Sequence, residues 1–260
     1  MKKRFFVIPQ NDAETVAIRD LLSRAGFRLM EDLFITHQGR DASWDNLEDV
    51  IRRKIHARVC EGMEGYGVEL RGKAPEGCSN IDHHCYEDDI RFNDLSSLEQ
   101  VAELLGVELS TFERYVVAND NGSISYMRQL EYELGLTELE SRDIEDVVRR
   151  MDRAAQGITP LQEKQAEVAC KYARKEGALT TVCLEHSKCT TVTDRLYGQY
   201  QNLAIFCDDG KVEFYGAPAI CEQLLEKFGG RGIYGFWCHH FERGSIQGHA
   251  EVLEYLKSVT

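Results

Sequence analysis

The chain is short of several things, and each shortage excludes a class of protein. Four prolines in 260 residues, no low-complexity tract and no internal repeat leave an ordinary globular composition rather than a linker-rich or repeat architecture. Nine cysteines are an odd number, and no two stand as Cys-x-x-Cys, which argues for a reduced cytoplasmic protein rather than a disulfide-stapled secreted one. The apolar run near the N-terminus, Phe5-Phe6-Val7-Ile8, is too short for a signal-peptide core, and no run approaches a membrane span. Positive charge is scarce: 31 Lys and Arg face 44 Asp and Glu, a formal net charge of −13. Such a chain repels a nucleic-acid backbone, so duplex nucleic acid and membrane surfaces are not expected partners. A small phosphorylated ligand stays open, because a bound metal reverses the local sign inside one cleft.

What is present is an alternation of strands and helices. Residues 3–9 read as a strand, and Asn11-Asp12 caps a helix with apolar positions 13, 16, 18, 21, 22 and 25, stopping at Gly26. A strand over 33–36, a helix over 46–57, a strand over 66–70 and a strand ending at Asn80-Ile81 follow. This order predicts a parallel sheet. From 107 to 175 the pattern is mostly helical. It then changes to a strand at 179–184, a hairpin through Asp208-Asp209-Gly210, a helix at 218–228 and a final strand at 233–237.

At the end of the fourth strand stands Ile81-Asp82-His83-His84. A carboxylate and two adjacent imidazoles fill a core poorly and are costly to bury. At the carboxyl end of a parallel strand they face the crevice where open α/β sheets bind ligands. Ser96-Ser97-x-Glu99 then starts a helix that stops at Gly106, and Tyr115-Val116-Val117-Ala118-Asn119-Asp120-Asn121-Gly122 reads as a further strand ending in an acid and a glycine.

Over residues 81–122 this order resembles the DHH phosphoesterase superfamily, which includes manganese pyrophosphatases, oligonucleotide phosphodiesterases and single-strand exonucleases. The resemblance implies an α/β fold: a DHH-like domain with a mainly parallel sheet (1–135), a helical connector (136–176) and a small α/β domain similar to the family's DHHA1 domain (177–260). It implies His83 as a metal ligand, His84 facing the scissile phosphate, Asp82 as a metal-site residue orienting His83, and Asp120 as a metal carboxylate. The family's first loop reads His-x-x-x-Asp-x-Asp. In that register only Asp12 survives here, with Phe6 and Gln10 replacing two ligands. His37 and Asp41, after the second strand, have the missing His-x-x-x-Asp spacing and are expected to stand in. Glu69 lies where the family has an aspartate.

In the small domain, the family's glycine-rich segment ends in histidine. Here it reads Phe228-Gly229-Gly230-Arg231-Gly232. Arg231 is expected to contact phosphate in the histidine's place, with the backbone at Gly229, Gly230 and Gly232 approaching the ligand; a plain helix-to-strand turn is the competing reading. A zinc site at Cys78, His83, His84 and Cys85 is disfavoured by the opposed directions of neighbouring side chains. Cys238-His239-His240 with His249 reads as a strand end before it reads as a second metal cluster.

The expectation is therefore a cytoplasmic, divalent-metal-dependent phosphoesterase, with Mn²⁺ ahead of Mg²⁺. It would hydrolyse a small phosphate ester, pyrophosphate or short nucleotide between two domains, and a homodimer is compatible with it. The other reading is a catalytically degenerate relative that binds or senses a phosphorylated ligand, favoured by the altered first loop.

Overall fold

A computed structural model describes residues 3–39, 42–86, 89–90, 95–233, 235–242 and 245–260. Two compact units divide at Gly157 and Ile158. The first contains β1 (Arg4–Pro9), α1 (Ala13–Arg24), β2 (Leu33–Thr36), α2 (Asp49–Cys60), β3 (Glu64–Val68), β4 (Cys78–Ile81), β5 (Cys85–Tyr86), β6 (Asp89–Ile90), α3 (Ser97–Leu105), α4 (Thr111–Leu134) and α5 (Glu138–Ala155). The second contains α6 (Pro160–Lys171), β7 (Arg174–Glu176), β8 (Leu179–Leu184), α7 (Thr190–Leu196), β9 (Asn202–Cys207), β10 (Lys211–Tyr215), α8 (Pro218–Phe228), β11 (Arg231–Ile233), β12 (Phe236–His240) and α9 (Ile246–Val259). α5 lies in the first unit and α6 in the second. No described helix is long and apolar enough to cross a membrane.

The first unit is built on a four-stranded parallel sheet in the order β2-β1-β3-β4. Phe5 and Val7 join Phe34, Trp44, Leu47, Ile51 and Ile55 on the α2 side. Phe6 and Ile8, on the alternate face, are buried as well. Burial on both faces explains why β1 reads as an unbroken apolar run. Gly65 and Gly67 of β3 have a packing reason, since a Cβ at either would come within 2.4 Å of the Phe5 ring or 2.2 Å of the Trp44 indole. All four strands run the same way, so their following loops open at one end of the sheet.

The segment Tyr115–Asp120, expected as a strand, is helical and lies inside α4. A capping box starts α4: Ser110 accepts from the Glu113 N–H, and Glu113 accepts from the Ser110 N–H. With the helix nucleated there, Tyr115, Val116 and Val117 are buried by helix packing despite their β propensity. The start of α3 is a second capping box, between Ser96 and Glu99, and Gly106 ends that helix in the left-handed conformation, as the sequence indicates. α4 is broken at Gly122 and Ser123, whose dihedrals are non-helical.

The second unit is a six-stranded mixed sheet in the order β11-β12-β10-β9-β8-β7. Ala204, Phe206, Val212, Phe214 and Trp237 pack against Ile220 and Leu224 of α8 and Val252 and Leu256 of α9. Leu203, Ile205 and Cys207 face the other way, toward Ala166 of α6 and Val192 of α7. Cys238, His239 and His240 lie within β12, paired with Glu213, Val212 and Lys211 of β10.

Candidate metal centre

The register of the parallel sheet places the ends of β1, β3 and β4 side by side. Pro9 ends β1, Val68 pairs with Ile81, and the Glu69 N–H donates to the Ile81 carbonyl. Asp12 caps α1 just beyond β1 and accepts from the Thr15 N–H at 2.9 Å. Two residues on, in the first turn of α1, Glu14 is 1% exposed, and its Oε1 accepts from the Leu98 N–H at 2.8 Å. Glu69 follows β3 with φ 51, a left-handed conformation that a side chain rarely adopts. Its Oε2 accepts from Asn11 Nδ2 at 3.1 Å. Backbone strain of this kind costs about 1–3 kcal/mol and collects at functional sites.

After β4, Asp82 is buried, and its Oδ1 accepts from both the backbone N–H and Nδ1 of His84, each at 2.9 Å. Asp82 therefore orients His84, where the family resemblance pointed to His83. The two imidazoles meet edge to face with ring centroids 4.4 Å apart. His83 Nε2 lies 2.9 Å from Asp120 Oδ2 and 3.8 Å from Glu14 Oε2. Asp120 arrives from a helix rather than a strand end.

Among the described residues, two groups of side chains offer ligand atoms within 4.8 Å of one another: Glu69, His83 and His84, and Glu14, His83 and Asp120. Glu14 Oε2, Glu69 Oε1, His83 Nε2 and Asp120 Oδ2 are each buried without a well-formed hydrogen bond. Lone pairs and acids turned toward a common space fit a hard or borderline divalent cation, for which carboxylate oxygen and imidazole nitrogen are suitable donors.

The electrostatics agree with the geometry. Burial, followed by the charge of Glu69, pushes the Asp12 carboxyl up to about 7. Glu14 is raised well above the carboxylate range, first by burial and then by Glu69 and Asp120. The Asp82 carboxylate raises His84 to about 9, against the opposing effect of burial. Asp120 beside it raises His83. Carboxyls whose hold on protons is strengthened by burial and by one another mark a place where positive charge is wanted.

The sequence reading missed Glu14. The signal is Asp12-x-Glu14, which keeps the Asp-x-acid spacing of the resembled first loop, shifted two residues from the register read first. Other expected residues lie apart. His37, one residue past β2, is exposed, its N–H donates to Glu48 Oε1 at 3.0 Å, and it belongs to neither ligand group. Asp41 lies outside the described residues. In the second unit, Gly229 (φ 70) ends α8 and Gly230 (φ 96) turns the chain; a Cβ on Gly230 would stand 2.3 Å from the Cys238 carbonyl oxygen. Those two glycines therefore have a local reason. Arg231 and Gly232 begin β11 and are exposed.

Among solved structures, the chain is similar to a pGpG-specific phosphodiesterase, PggH, from Vibrio cholerae. The match covers 98% of each chain at 13% identity, with a TM-score of 0.50. An uncharacterized protein from Helicobacter pylori G27 aligns over 100% of both chains at 11% identity and a TM-score of 0.30. The exonuclease RecJ bound to manganese aligns over 99% of this chain and 90% of its own, at 11% identity and a TM-score of 0.37. No family model matches the chain, and no curated protein matches it. At such identities the likeness is one of fold: an α/β architecture shared with a phosphodiesterase.

Proposed function

We propose that this chain is a divalent-metal-dependent phosphoesterase of DHH type, acting on a small phosphate ester, pyrophosphate or short nucleotide. The observation that carries the reading is the convergence of Glu14, Glu69, His83 and Asp120, each with a buried ligand atom lacking a well-formed hydrogen bond. Fold likeness to a pGpG-specific phosphodiesterase supports trying short linear nucleotides first. Imidazole among carboxylates favours Mn²⁺ over Mg²⁺. A bound cation supplies Lewis acidity toward phosphate oxygens.

In this reading the protein's own groups do the remaining work. Glu14, Glu69, His83 and Asp120 hold the cation, and Asp12 adds charge beside them. Asp82 fixes His84 through Nδ1 and strengthens the ring's hold on a proton, which favours an Nε2–H that donates to a phosphate oxygen and steadies the charge that develops there. Arg231, with the backbone of Gly229, Gly230 and Gly232, is proposed as an additional anion contact; Arg231→Ala then weakens nucleotide binding by about 1.5–3 kcal/mol. Localisation in the cytoplasm belongs to the same proposal.

The test is hydrolysis of an aryl phosphodiester, pyrophosphate and a dinucleotide by purified protein with Mn²⁺, Mg²⁺ or EDTA. Metal-dependent turnover supports the enzyme. Tight Mn²⁺ and nucleotide binding without turnover identifies the second reading, a degenerate binding protein, which Ile8, standing where the shifted register puts the first loop's histidine, favours. Failure to bind Mn²⁺ ends the metal-centre reading.

A further inference from the structure

The ligand groups come from α1, α4 and the loops after β3 and β4; α5 provides none of them. Yet two buried polar residues of α5 reach both of the ligand-bearing helices. Arg149 is 7% exposed, and its Nη1 donates to Asn119 Oδ1 at 2.6 Å. Asn119 immediately precedes Asp120. Asp152 is 5% exposed, and its Oδ1 accepts from the Ala13 N–H at 3.2 Å. Ala13 stands between Asp12 and Glu14. The other oxygen of Asp152 accepts from Gln156 at 2.8 Å and lies 3.5 Å from Arg149 Nη1.

A buried ion pair is a costly way to pack three helices, since apolar side chains do so without desolvating charge. A carboxylate beside an acidic cluster is costlier, and Asp152 adds to the charge that raises Asp12. What the pair provides is direction. The Ala13 N–H is a first-turn donor with no partner within α1. Capping it with Asp152 fixes the rotation of the turn that aims Glu14. Bonding Asn119 from the same helix fixes the turn that aims Asp120. Because Arg149 and Asp152 are one turn apart on a single helix, the two aims are set relative to each other.

We infer that Arg149 and Asp152 are positioning residues of the metal centre, a brace on α5 that holds Glu14 of α1 and Asp120 of α4 in register around one cation. This rests on the metal-centre reading above. Residues that orient ligands without touching the metal typically change affinity by about 10–100-fold when removed.

The experiment is Mn²⁺ titration of the full chain by calorimetry, with the electron paramagnetic resonance spectrum of bound Mn²⁺, for wild type, Arg149→Met, Arg149→Lys, Asn119→Ala, the Arg149→Met/Asn119→Ala double variant and His83→Ala. Melting in EDTA establishes that each is folded at the temperature of titration. The brace predicts affinity lower by about 10–100-fold in Arg149→Met and a similar loss in Asn119→Ala. The double variant should be no weaker than the weaker single one, because the two residues act as a unit. Arg149→Lys should recover part of the affinity, and the bound-Mn²⁺ spectrum should broaden in the weakened variants. If Arg149→Met is unfolded, Asn119→Ala decides. Wild-type affinity and spectrum in a folded Asn119→Ala overturn the brace while the centre stands, provided His83→Ala loses the metal. Absence of Mn²⁺ binding in the wild type overturns both.

Discussion

The two units bury acids in opposite ways. In the second, Glu213 is 6% exposed but stands among partners: Lys211 Nζ is 2.5 Å away, and the Tyr215 hydroxyl donates to it at 2.5 Å. In the first, Glu14, Glu69 and Asp120 crowd around two imidazoles, and buried oxygens on all three lack well-formed hydrogen bonds. A buried carboxylate with its own cation is a structural element. Several carboxylates sharing a space with imidazoles make, among the described residues, a donor set suited to a divalent cation. The contrast separates a sheet that is complete by itself from one whose loops are built toward something else.

The largest effect tests the open end of that contrast. His83→Ala or Asp120→Ala should lower Mn²⁺ affinity by more than about 100-fold, beyond the range for residues that only orient ligands. Metal-dependent turnover, if present, should fall with it. Calorimetric titration checks this, and unchanged affinity would remove the centre.

Next in size is a lesion in the closed unit. Trp237 is fully buried, and its indole N–H donates to the Gly229 carbonyl at 2.8 Å. Trp237→Ala should destabilise the protein by about 3–5 kcal/mol, measured by urea unfolding. Mn²⁺ affinity should hold in the folded variant; a parallel loss would show that the units do not stand apart energetically.

The same chemical change should then have opposite signs in the two units. Glu213→Gln leaves Lys211 without its countercharge and should cost about 1–3 kcal/mol. Glu14→Gln keeps an oxygen for the Leu98 N–H and removes a repelling charge, so it should raise the melting temperature of metal-free protein and abolish the rise produced by Mn²⁺. The pH dependence follows from the raised carboxyls. Unfolded Asp and Glu titrate near ~4, whereas Asp12 titrates near 7 in the fold. Between those values the folded state holds more protons, so metal-free stability falls as pH rises through that window. His84 acts in the same direction: its contribution is full below its unfolded pKa and is lost as pH rises through about 9. Melts in EDTA at pH 5 and pH 8 should show this decline, and Glu14→Gln should make it shallower.

The smallest effect is local. Ser96 is buried and caps α3 reciprocally with Glu99. Ser96→Ala should cost about 1 kcal/mol in a chemical melt without altering metal affinity.

How much of this was legible in the sequence differs by element. β1 and β2 were, because their apolar runs are bounded by turns; β3 lies two residues before the expected 66–70 and only the end of β4 was legible, since Glu64–Val68 and Cys78–Ile81 carry few apolar side chains. Also legible were the start of α3 and the hairpin at Asp208-Asp209-Gly210, where turn and cap chemistry is local. Tyr115–Asp120 was misread because Tyr-Val-Val followed by Asp-Asn-Gly looks like a strand and its turn. The decisive feature was Ser110-x-x-Glu113, a capping box lying before the segment and outside that reading. At the centre, Asp82, His83 and His84 announce themselves by adjacency, and Asp120 was reached through a strand that does not exist. Glu14 was hidden by position: an acid in the first turn of a helix ordinarily serves the dipole. Only the tertiary structure shows that this one is buried beneath the Leu98 amide. The Arg149–Asp152 pair is an ordinary i, i+3 pair in sequence, and nothing local reveals that it faces inward.

Glu69 carries a consequence for how the chain can drift. Its backbone sits at φ 51, where glycine and asparagine are at ease and most residues are not. Its carboxylate belongs to one of the two candidate ligand groups. Selection for folding alone pulls position 69 toward glycine, while on the proposed metal reading selection for the cation holds it acidic. Aspartate satisfies the backbone better and reaches less far. If the proposed ligand role holds, a lineage released from it would record that release here first, by relaxing a strained residue.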